Sequence, residues 1–80
     1  MKVTTIMLAG TNAGAIYVGG RFLHCYCART DQGRTTGFIA GLRFCGNTVE
    51  EETVFLRMKS YNLRWPENLS DALLLGELVG

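Results

Sequence analysis

What the 80-residue sequence lacks narrows its chemistry first. It has one histidine, His24, so no second imidazole is available for a histidine-rich metal site or a histidine pair. Its three cysteines, Cys25, Cys27 and Cys45, are an odd number, which argues against a closed disulfide framework and fits reduced thiols in a cytoplasm. The net charge is +1, which excludes a strongly acidic nucleic-acid mimic and a strongly basic nonspecific binder. No apolar run approaches the roughly 18 residues of a membrane span. The stretch after Lys2 is broken by Thr4 and Thr5 and is too short for a secretory leader. We find no RNA-recognition signature, no cold-shock aromatic motif and no helix-turn-helix pattern, and no family resemblance emerges.

What is present is apolar and rich in glycine. Hydrophobic residues make up 48% of the chain, and ten glycines punctuate it. A chain this short forms one domain, residues 1–80, and buries only roughly 60–65% of its unfolded surface. Surplus apolar side chains therefore point to homo-oligomerisation as a dimer or tetramer. The opening Met1 and the absence of a tag-like tail read as a complete short gene product.

The glycines sit between β-type runs. Val18-Gly19-Gly20-Arg21 reads as a two-residue hairpin turn, Asp31-Gln32-Gly33 as a three-residue loop, and Cys45-Gly46-Asn47-Thr48 as another two-residue turn. The expected strands span about 3–8, 15–18, 21–30, 34–45 and 48–59. The expected fold is α+β: a five-stranded antiparallel β-meander with one C-terminal helix, about 66–79, packed on one face. Pro66 suits the helix start, and Glu67 and Asp71 suit its positive end. Leu69, Ala72, Leu73, Leu75, Gly76 and Val79 would cover the sheet, leaving Leu74 and Leu78 exposed.

In this register Tyr26 faces Phe38 and Phe38 faces Phe55, an aromatic row across three strands. The helix side of the sheet would carry Ile16, Leu23, Cys25, Cys27, Ile39, Val54, Leu56 and Met58. The other side would carry Tyr17, Phe22, His24, Tyr26, Phe38, Leu42 and Phe55, with Arg34, Arg57 and Lys59 at one end. An apolar sheet face left uncovered is an interaction surface. The candidate ligand-binding residues are Tyr26, Phe38, Phe55, Arg34, Arg57 and His24. The candidate interface residues are Phe22, Leu42, Leu74 and Leu78.

No catalytic set emerges. His24 has no carboxylate or nucleophile beside it in this register. Cys25-Tyr26-Cys27 lacks zinc-ligand spacing, and Cys45 falls on the order of 20 Å away, so neither metal nor cofactor is expected. Gly10-Thr11-Asn12-Ala13-Gly14 lacks the Lys and Ser/Thr of a phosphate-binding loop. Of Glu50, Glu51 and Glu52, Glu50 is the expected partner of Arg43.

The sequence thus points to a non-enzymatic, cytoplasmic binding protein. The expected partner is a host protein or a small anionic, nucleotide-like ligand held at a subunit interface. A phage or mobile-element inhibitor or sponge, with an anti-defence role, is the gene type such products exemplify. The alternative is a single-stranded nucleic-acid module in which the aromatic row stacks bases and the arginines follow phosphates.

Overall fold

The computed structural model describes residues 1–58 and 64–79. Five strands, β1 (Lys2–Leu8), β2 (Ala13–Val18), β3 (Arg21–Cys27), β4 (Glu50–Met58) and β5 (Gly76–Val79), form one sheet. Its order is β3-β2-β1-β4-β5. Helix α1 (Gln32–Phe44) links β3 to β4, and the short helix α2 (Leu69–Leu73) links β4 to β5. The class is α+β with five strands, but the sheet is mixed: β4 lies parallel to β1, while the other three pairings are antiparallel.

The β1–β2 and β2–β3 hairpins follow the expectation, whereas the hairpin loop expected at Asp31-Gln32-Gly33 is the start of helix α1. Val18 pairs with Arg21, and Gly19 and Gly20 both take positive φ, 59° and 82°, as a tight hairpin turn needs. A bulge then changes the faces. Tyr17 pairs with Phe22, but Ile16 pairs with His24, so Leu23 is the extra residue on β3. Cys25 consequently lies opposite Ala15 rather than sharing a face with Ile16, and Tyr17 and Phe22 turn away from His24 and Tyr26.

Three further expectations are corrected. The expected strand at 34–45 is helix α1. Thr35, Ile39 and Leu42 recur at helical spacing, and Ile39 and Leu42 are the side chains that anchor the helix to the sheet. The expected turn at Cys45–Thr48 is the end of that helix. Gly46, at φ 90°, donates its N–H to the Arg43 carbonyl, and Asn47 donates to the Leu42 carbonyl. These are the two bonds of a Schellman stop. The helix expected at 66–79 is only Leu69–Leu73, and its tail is the edge strand β5. Backbone approach explains the switch: a Cβ on Gly76 would lie 2.1 Å from the Arg57 carbonyl oxygen, so glycine permits the pairing with Met58.

Each sheet face has its own core. On the α2 side, Ile6, Ala15, Tyr17, Leu56 and Ala72 are fully buried, with Phe22, Trp65 and Leu69 packed around them. The Tyr17 and Phe22 rings meet edge to face, 5.7 Å apart at 76°. The Tyr17 hydroxyl donates to the Pro66 carbonyl. Burial, then the nearby Asp71 and Cys25, pushes that hydroxyl's pKa up, so it stays protonated. The segment before α2 also caps one end of the β3 edge: Phe22 N–H donates to Glu67, and Leu69 N–H to Gly20. On the α1 side the core is smaller, built from Val3, Ile16 and Ile39.

Candidate functional site

α1 is a poor helix by composition. Gly33, Gly37 and Gly41 lie within its 13 residues, each costing about 1 kcal/mol relative to alanine. Its N-terminal residue Asp31 gives it no side-chain cap. The Asp31 carboxylate instead accepts the Cys27 N–H at 2.9 Å, closing the turn that leaves β3. In that turn the Cys27 thiol lies below its ordinary pKa, chiefly through the Arg29 backbone N–H and then the Thr30 hydroxyl.

Anchored at Ile39 and Leu42, α1 covers the β1–β3 part of its sheet face and leaves β4 open. A cleft of about 410 Å³ lies between the helix and the sheet. Pairing explains its floor. Tyr26 pairs with Gly14, Gly14 with Met7, and Met7 with Phe55, so these four residues form one row across four strands. Gly14 has to be glycine: a Cβ there would lie 1.9 Å from the Ile6 carbonyl oxygen. The Ile6 carbonyl already occupies the position a side chain would take, so Tyr26 is separated from the Met7–Phe55 pair by backbone alone. The neighbouring row is His24, Ile16, Thr5 and Thr53.

The helix wall contributes Gln32, Thr35, Thr36 and Ile39. The Thr35 hydroxyl donates to the Asp31 carbonyl at 3.0 Å and the Thr36 hydroxyl to the Gln32 carbonyl at 2.9 Å. Both threonines therefore present acceptor lone pairs to other groups. Glu51 lines the open side and pairs with Arg43 at 2.9 Å, so the arginine expected to meet Glu50 meets its neighbour instead. Glu52 also borders the cleft, while its carboxylate pairs with Lys2 on the opposite face.

The expected site residues are thus divided. Tyr26 and Phe55 line one cleft, with Phe55 half-exposed. Phe38 is on α1, so the expected three-strand aromatic row does not form. Arg34, also on α1, and Arg57, opposite Glu77 on β5, are exposed and outside the cleft lining. Lys59 lies outside the described residues. His24 is exposed, and its Nδ1–H donates to the Cys25 carbonyl at 2.6 Å. Phe22 and Leu42 are partly buried in the two cores, whereas Leu74 and Leu78 are 76% and 60% exposed. Sequence reasoning missed Met7, Thr5, Thr53 and the two helix threonines as neighbours. Only the parallel β1–β4 pairing brings Thr5 beside Thr53.

Among the described residues, no group of three or more His, Cys, Asp or Glu side chains could hold a metal. Nor is any helix among them long and apolar enough to cross a membrane. Comparison of the chain with protein-family models, curated proteins and solved structures found no match.

Proposed function

We propose that this protein acts by stoichiometric binding rather than turnover, as a small homo-oligomeric protein that seats a ligand or partner segment in the cleft between α1 and β4. The observation that carries this reading is the cleft itself. It is about 410 Å³, within the range of about 300–1,000 Å³ typical of small-molecule sites. An apolar floor of Val3 and Met7, faced by Ile39 on the helix wall, meets polar hydroxyls, and Tyr26 and Phe55 belong to the floor row of Met7.

Assembly is supported by a separate surface. Leu74 and Leu78 are exposed on and beside the edge strand β5, whose outer backbone groups have no neighbouring strand among the described residues. An inhibitor or sponge of the type encoded by phages and mobile elements is the biological role such binding would serve. The nucleic-acid reading draws less support. Its aromatic row is divided by α1, and Arg34 and Arg57 stand apart from the cleft.

Native mass spectrometry of the protein as purified from cells, repeated after denaturation, tests the proposal. A dimer or tetramer carrying extra mass that denaturation removes is the expected result. A monomer without added mass across a wide concentration range would contradict both the assembly and the binding.

A further inference from the structure

We infer that the cleft selects a small molecule bearing a protonated amine on a flat apolar body. This rests on the reading of the cleft as a binding seat and adds the ligand's charge and shape. Among the described residues no Lys, Arg or His lines the cleft, whereas Glu51 and Glu52 do. An anion bound there would meet the Glu51 carboxylate, and the cation beside it, Arg43, is already paired with that carboxylate, which is an unfavourable arrangement. The Thr35 and Thr36 hydroxyls have committed their protons to α1 carbonyls, so they meet an incoming group as acceptors. An ammonium supplies three donors and no acceptor, which matches that inventory.

The flat body follows from the floor. Tyr26 and Phe55 stand at the two ends of one row, on either side of Gly14 and Met7, and both line the cleft. Aromatic faces attract both flat apolar groups and cations. Glu51 already has a partner, the Arg43 guanidinium at 2.9 Å, but both side chains are about half-exposed. Such exposed pairs are weak and exchangeable. The bond to Arg43 uses Oε2, and no hydrogen bond to the other carboxylate oxygen is present among the described residues. Arg43 therefore competes with an incoming ammonium without filling the cleft.

Three probes sharing an indole ring separate charge from shape: tryptamine, tryptophol and indole-3-propionate. Titration of each into the isotopically labelled protein, followed through the amides of Tyr26, Thr35, Thr53 and Phe55, gives site and affinity together. The expected order is tryptamine, then tryptophol, then indole-3-propionate, with about threefold between neighbours, the size of an exposed charge contact. Glu51→Gln should erase the advantage of tryptamine over tryptophol, and Arg43→Gln should enlarge it. Equal affinities, or tighter binding of the propionate, with the cleft amides shifting would overturn the amine preference while leaving the cleft as a binding seat. Cleft amides that respond to none of the three would overturn the inference, and the native mass measurement would then decide the binding proposal independently.

Discussion

The two faces of the sheet are built to different standards. On the α2 side, Ile6, Tyr17 and Leu56 are sealed, an edge-to-face aromatic pair fills the space, and the Tyr17 hydroxyl has its partner in Pro66. On the α1 side, a glycine-rich helix is anchored at Ile39 and Leu42 and leaves β4 uncovered. The chain thus concentrates its close packing on one face and leaves the other open enough to hold something. The difference separates what stabilises this fold from what is available for recognition.

Paired truncations probe that separation most strongly. Leu56→Ala, in the sealed core, should cost about 2–5 kcal/mol in chemical denaturation. Leu42→Ala, half-buried between α1 and the sheet, should cost distinctly less, about 1–2 kcal/mol. Equal losses would erase the contrast between the faces. Gly14→Ala comes next: the added methyl would collide with the Ile6 carbonyl, and the forced backbone shift should cost about 1–3 kcal/mol. It should also disturb the floor row, which chemical-shift changes at Met7 and Tyr26 would reveal.

Tyr17→Phe removes one hydrogen bond and should cost about 1 kcal/mol at neutral pH. Its pH dependence sharpens the assignment. Because the folded Tyr17 pKa is raised, the stability linked to its protonated form is complete below the unfolded tyrosine value of about 10 and is lost as pH rises through the folded value. Alkaline denaturation curves should therefore fall less steeply for Tyr17→Phe than for the wild type. The smallest effect has the opposite sign. A Cβ at Gly37 or Gly41 meets nothing within 4 Å, so replacement of either by alanine should stabilise α1 by about 0.5–1 kcal/mol. A loss in thermal melts would mean that these positions are covered, as in an assembled oligomer.

The sequence displayed the sealed face better than the open one. The Gly19-Gly20 turn fixes the β2–β3 hairpin, because adjacent residues at positive φ favour glycine. Val54, Leu56 and Met58 alternate visibly, and the structure keeps them together on the α2 face. The bulge at Leu23 left no local mark, so every residue beyond it on β3 changed partner. For residues 34–45, alternation and helical spacing both fit an apolar stretch carrying Phe38, Ile39, Leu42 and Phe44. Two turn assignments that agreed on an antiparallel register made the strand attractive, but Gly46 served equally well as a helix stop. Tyr26 and Phe55 were legible as site residues by their chemistry. Their true neighbours were not, because a parallel pairing between β1 and β4 involves residues nearly 50 positions apart and no turn announces it.

Amide hydrogen exchange under native conditions tests the division between the faces most directly. The account predicts that Ile6, Tyr17 and Leu56 exchange slowly, close to the rate of global unfolding, while α1 amides around Gly37–Leu42 exchange through easier local openings. Protection in α1 equal to that of β1, in protein confirmed to be monomeric and ligand-free, would contradict it: both faces would then belong to one uniformly closed core.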